Sequence, residues 1–177
     1  MDVAPTNLEQ EQMLIGFVSD LTINSLPSNI VHQAKRTILE GISWFYMGLK
    51  RENLSPLSEF ITSVSSAKKA SVINCGQKVE ACWAAYAHAA LAQAMECSDG
   101  MRVASVRGGA FHPGRLIIPV ALAMAESLAC DGKALITSVV GAYEIAARIQ
   151  GLAPRPRSAV YGASFAASKL MGLDANM

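Results

Sequence analysis

Between residues 96 and 115 the chain gathers side chains that can move a proton and hold an anion. Glu96, Asp99 and Arg102 stand close together. A glycine-rich run follows and ends in Phe111-His112-Pro113-Gly114, with Arg115 next. An imidazole near its ordinary pKa carries both protonation states at neutral pH, so His112 suits general acid–base work. A carboxylate at Glu96 or Asp99 can orient it or act as the partner base. Arginine binds carboxylate oxygens through two parallel hydrogen bonds. Arg102, beside the acidic cluster, and Arg115, directly after the loop, are the first candidates; Arg107, Arg155 and Arg157 are further ones. A helix beginning just after His112 offers backbone N–H groups to the same anion. We therefore take His112, Glu96 and Asp99 as candidate catalytic residues and Arg102, Arg115 and His88 as candidate substrate-binding residues. His88 also fits a satisfied core histidine, His112-Pro113-Gly114 a plain turn, and the acids and arginines solvated charge.

Other chemistries find no support. The cysteines, Cys75, Cys82, Cys97 and Cys130, form no CxxC pair and have no histidine at metal-ligand spacing. There is no phosphate loop and no dinucleotide fingerprint. No metal and no organic cofactor is expected. Cys97, beside the acidic cluster, is the one thiol placed to act as a nucleophile; the plainer reading is reduced thiols in a cytoplasmic protein. A net charge of +1 without a basic stripe gives no reason to expect nucleic acid. The start of the chain does not read as a secretory signal. The most apolar run, Leu116 to Ala125, is too short for a bilayer, which takes about 20 residues.

The elements that must position these residues read as helices. Apolar positions recur at helical spacing from about 8 to 22, with Asn7 as N-cap, and from the Pro27 turn to about Leu49. In the second helix Glu40 reads as a boundary or partner-facing carboxylate. Ser55-Pro56 opens a short helix to about Val64. Residues 70–76 are too short for a helix and read as a small extended segment. The alanine-rich stretch from about Val79 to Glu96 predicts a helix packed on nearly all sides. Residues 97–114 form a long connection, a length that inside compact domains goes with function or disorder. Arg115 opens a helix to about Cys130, with Pro119 in its first turn and Asp131-Gly132 as stop and turn. A helix over 134–150, an extended link over 151–158 and a helix closed by Gly172 complete the chain. The expectation is a single all-α domain over residues 1–177, a bundle of about seven helices. Hydrophobic residues make up 51% and charged residues 16% of the 177. A typical domain has about 25% charged. Apolar surface should therefore meet another subunit, most simply in a homodimer or higher homo-oligomer.

Three segments, "AYAHAALAQAMECSDG", "FHPGRLIIPVALAMAESLACDGKALITSVVGAYEIAARI" and "YGASFAASKLMGLD", resemble the MmgE/PrpD family, which includes 2-methylcitrate dehydratase, cis-aconitate decarboxylase and iminodisuccinate epimerase. The likeness extends weakly upstream to "LPSNIVHQAKRTILEGISWFYMG", where an aspartate usually stands at Glu40, and covers roughly Leu8 to Leu173. It implies a helical fold and cofactor-free proton chemistry beside a carboxylate. His112 matches a family active-site histidine. The family's D-F-D-D-T motif becomes Glu96-Cys97-Ser98-Asp99-Gly100. Its Asn-Gly becomes His88-Ala89, and a second histidine expected near Ala153-Pro154 is missing. The resemblance covers only the first part of the family's helical domain; the lysine-containing segment, the lid domain and a returning helical segment have no counterpart.

Three readings follow. The chain is a lyase- or isomerase-type enzyme on a small carboxylate. Or it is a non-catalytic or half-site subunit whose partner supplies a second half. Or it is a small-molecule binding protein that lost the chemistry.

Overall fold

The structure, a computed structural model, describes residues 7–51, 55–96, 98–102, 111–152 and 158–173. They form seven α-helices, α1 (Asn7–Ser19), α2 (Ser28–Gly48), α3 (Ser55–Val64), α4 (Ala81–Ala94), α5 (Gly114–Ser127), α6 (Gly132–Leu152) and α7 (Ser158–Leu170), and one two-stranded hairpin, β1 (Ala70–Ser71) with β2 (Lys78–Val79). The fold is all-α, as the periodicity predicts.

The central element is α5, which packs against α2, α4, α6 and α7. Its Ile117 and Ile118 are fully buried among Trp44 and Phe45 of α2, Leu91 of α4, Val139 and Ala142 of α6 and Ala166 of α7. Burying each such isoleucine contributes about 1.5–3 kcal/mol. Small residues set the spacing. A Cβ at Gly48 would lie 3.0 Å from Leu91 Cα, so α2 and α4 meet backbone to backbone only because Gly48 has no side chain. This close approach holds α4, which carries one wall of the site, against the bundle.

A second, smaller core sits under the hairpin, with Ile61 of α3, Val72, Val79, Ala84 and Ala87. Two carboxylates tie the hairpin region down. Glu126 of α5 accepts from Ser71 N (2.7 Å) and Ser71 Oγ (2.6 Å) and pairs with Lys78 Nζ at 2.9 Å. Glu80 accepts from Ser66 N (2.7 Å) and Ala67 N (3.0 Å) and from the Ser65 hydroxyl. The bonds from Ser65 first and then Ser66 hold the Glu80 carboxyl down at about 2.

Several boundaries differ from the sequence reading. The first helix ends at Ser19, and a 3-10 turn at Ile23–Ser25 follows. Val79 is a strand residue rather than the first of a helix, because its fully buried side chain fills the small core. Asp131 does not stop α5, which ends at Ser127; it starts α6, where its Oδ1 accepts from Ala134 N at 2.8 Å. With α5 beginning at Gly114, Pro119 lies in the second turn and leaves the Arg115 carbonyl without its helical donor. Gly172 closes α7 in the left-handed region, as expected. The link expected over 151–158 is shorter, since residues 151 and 152 close α6 and Ser158 opens α7; its residues 153–157, like Cys97, lie outside the described residues.

Candidate active site

The site is built where α4 ends and α5 begins. After Ala94 the chain turns sharply through Glu96, whose φ of 51° is unusual for a side chain with a Cβ. The segment that follows runs back beside the start of α5. Met101 and Phe111 exchange both backbone hydrogen bonds, 2.9 and 3.0 Å, and so place residues 98–102 alongside His112.

Asp99 is the hub. Both carboxylate oxygens lie within hydrogen-bond distance of Gly114 N, at 3.2 and 3.0 Å. The N-cap residue of α5 is Pro113, whose side chain has no acceptor, so Asp99 caps the helix from another segment. Its Oδ2 also accepts from Tyr143 Oη of α6 at 2.8 Å. Gly114 makes this possible: an added Cβ would sit 2.5 Å from Tyr143 Oη and 2.8 Å from Asp99 Oδ1. Burial raises the Asp99 pKa, the Tyr143 hydroxyl and Gly114 N–H oppose this, and the Glu40 carboxylate on α2 adds to the rise. The Tyr143 hydroxyl is pushed up, by burial first and then by Asp99, so it stays a neutral donor.

The Asp99 backbone carbonyl bonds His112 Nδ1. A carbonyl only accepts, so Nδ1 carries the hydrogen and Nε2 of the neutral ring carries the lone pair. Among the described residues Nε2 has no hydrogen-bond partner. His112 lines a cleft of about 590 Å³ between α4, α5 and the start of α7, together with Tyr86, Gln93, Phe111, Arg115 and Leu116. Arg115 Nη1 donates to Gln93 Oε1 at 2.7 Å, which fixes the guanidinium on the cleft wall.

The predicted site residues thus divide. Asp99 and His112 touch, and Arg115 shares the cleft with His112. Glu96 and Arg102 are exposed on the adjoining segment and are not among the residues that line the cleft. His88 lies elsewhere, buried beside a second cavity of about 270 Å³ with Phe45, Ser71 and Glu126. Its ring stacks on Phe45 at 4.5 Å, and its Nε2 accepts from Ile73 N at 3.1 Å. Tyr143, Gln93 and Gly114 were missed as members of the site. Tyr143 belongs to the "GAYE" segment, where it reads only as a helix residue; its distance of 44 positions from Asp99 hides the contact. Among the described residues no group of three or more His, Cys, Asp or Glu is placed to hold a metal ion. No helix among them is long and apolar enough to cross a membrane.

An all-α bundle with a half-buried acid, a histidine and an arginine at a helix start defines a class of protein, and the sequence places it: residues 12–177 match the family profile described as the MmgE/PrpD N-terminal domain, and the chain belongs to that family. It is similar to the cis-aconitate decarboxylase of Aspergillus terreus, and equally to that of Aspergillus terreus strain NIH 2624 / FGSC A1156. Each is 29% identical over 148 residues, which cover 82% of this chain and 28% of the relative. The chain therefore spans under a third of the length of the curated relatives it matches. These relatives are decarboxylases, so the family includes enzymes of lyase type.

Proposed function

We propose that this chain is a lyase- or isomerase-type acid–base enzyme, acting without metal or organic cofactor on a small carboxylate bound in the cleft of His112 and Arg115. The observation that carries it is the pairing of an oriented histidine with an anchored guanidinium in one cavity. Arg115 binds the substrate carboxylate. His112 Nε2 takes a proton from the neighbouring carbon, and the electron pair moves into the carboxylate, where the guanidinium holds the added charge. Reprotonation on the other face by a second proton carrier inverts the carbon; expulsion of a β-hydroxyl, which takes the proton back from the His112 imidazolium as it leaves, gives an alkene and water. For decarboxylation the order is reversed: carbon dioxide leaves, and the imidazolium protonates the carbon. Glu96 and Arg102, on the adjoining segment, are assigned as a second proton carrier and a second anion contact for a substrate that reaches beyond the cleft. The free thiols of Cys75, Cys82 and Cys130 suit a cytoplasmic setting.

The test is a panel of di- and tricarboxylates, beginning with cis-aconitate, followed by calorimetric binding and by deuterium uptake at the carbon beside the carboxylate. Binding with turnover or exchange is expected. Arg115→Gln should weaken binding about 10-fold or more, since a charge-assisted hydrogen bond is worth about 1.5–3 kcal/mol. Unchanged affinity in that variant would remove Arg115 from the site, and absence of both binding and exchange across the panel would end the enzyme reading.

One observation favours a second reading, a half-site subunit. The cleft rim carries Tyr86, 57% exposed, and α7, whose Ala159 lines the cleft, continues outward with the exposed Val160 and Tyr161. Apolar surface of this kind is what another polypeptide covers, either a second copy of this chain or a chain resembling the family's second half. Light scattering is expected to show a homodimer or larger assembly at micromolar concentration; a stable monomer would exclude the homo-oligomer.

A further inference from the structure

One contact outside the proton-transfer atoms ties α6 to the site. Tyr143 reaches from α6 to the carboxylate of Asp99, which also accepts from Gly114 N at the start of α5, while the backbone carbonyl of the same residue bonds His112. We propose that Tyr143 is a positioning residue: by donating to the Asp99 carboxylate, it fixes the Asp99 carbonyl that holds Nδ1–H of His112, and so decides which ring nitrogen is left for the cleft. This rests on the reading of His112 as the acid–base residue and deepens it.

The argument is geometric. Asp99 is pinned at its side chain by two donors on two different helices, Gly114 N on α5 and Tyr143 Oη on α6. Fixing the side chain fixes the residue's own backbone, and the carbonyl of that same residue is the acceptor for His112 Nδ1. The Met101–Phe111 bridge sets the spacing of the two segments, but neither of its two hydrogen bonds is made by the Asp99 peptide. Gly114 N alone holds the carboxylate from one side. Tyr143 supplies the second point, and Gly114 lacks the Cβ that would exclude the hydroxyl from that position. A ring nitrogen held by a carbonyl must be the protonated one, so the tautomer of His112 reports directly on this chain of contacts. The charged groups around it are Asp99, the Glu40 carboxylate on α2 and, across the cleft, Arg115.

The experiment is nitrogen–proton correlation of the His112 ring in the full chain, at a pH where the imidazole is neutral. Nδ1–H is expected in the wild type. Tyr143→Phe keeps the ring and loses the hydroxyl, and should convert the signal to a mixture with Nε2–H. Asp99→Ala removes the anchor from the other end and should do the same, whereas Asp99→Asn, which keeps an acceptor oxygen, should restore much of the Nδ1–H form. Circular dichroism identifies which variants fold. Nε2–H as the main wild-type form, or a wild-type tautomer in either folded anchor-less variant, overturns the proposal. With a substrate in hand, Tyr143→Phe should lower kcat by up to about 10²-fold with little change in KM, the penalty of a misplaced reacting group. The ring signals need no substrate. If they behave as expected while His112→Ala keeps full turnover, the positioning stands and the catalytic reading falls.

Discussion

His112→Ala is expected to lower turnover by about 10²–10⁴-fold, the usual contribution of a positioned general acid or base. The far-ultraviolet dichroism should stay helical. The ring is only partly buried, and its one described hydrogen bond goes to a backbone carbonyl, so its loss empties a cleft wall rather than the core. Two comparisons give the result its meaning. His112→Gln offers an amide donor to the Asp99 carbonyl and cannot exchange a proton, so it should be as slow as alanine. Glu96→Gln should cost less, because Glu96 is exposed and does not line the cleft. Full activity in His112→Ala on a substrate that the wild type turns over would mean that another group moves the proton. In that event Glu96, with its left-handed backbone at the end of α4, is the next group to replace.

The difference between what the chain's order reveals and what it hides is visible at this site. Asp99 and His112 are 13 residues apart and flank one glycine-rich connection, so their meeting is legible. Arg115 follows directly and points to the same helix start. The helices themselves are legible because apolar spacing and alanine content report burial face by face. The Tyr143 contact is not. It depends on how α6 lies against α5, and nothing in the spacing of "GAYE" marks that face as polar. Gln93 is hidden likewise, as one polar residue in an alanine-rich helix. The extended segment over 70–76 does hold β1, but its partner β2 escapes, because two residues per strand are too few for a period of two to appear. Asp131 misleads for a different reason: Asp-Gly serves both as a stop and as a start, and only the bond to Ala134 N decides which. His88 shows the same limit, since burial and pairing are properties of the packed state.

That packing makes His88 the source of a large effect of acid on stability. Nε2 accepts from Ile73 N, so the neutral ring keeps its hydrogen on Nδ1, which is buried and has no partner among the described residues. Protonation would turn Nε2 into a donor facing the Ile73 N–H and would place a charge against Phe45. Burial accordingly lowers the pKa to about 4, with the Glu126 carboxylate pulling weakly the other way. In the unfolded chain the same group titrates near 6.5. The unfolded state therefore binds the proton first as the pH falls. Stability from this residue is complete above about 6.5 and is lost progressively down to about 4. The gap corresponds to about 3 kcal/mol. Urea unfolding at a series of pH values should show this slope, and His88→Gln, whose amide oxygen can still accept from Ile73 N, should flatten it. The carboxylates act in both proteins alike: Glu80 and Glu126, with lowered pKa, lose stability in more acid solution, while Asp99, with a raised pKa, works in the opposite sense. The difference between the two curves thus isolates His88. Parallel curves between pH 6.5 and 4 would show that His88 takes up its proton in the folded chain as readily as in the unfolded one, and that the ring does not hold the buried, Ile73-bonded position from which the effect is argued.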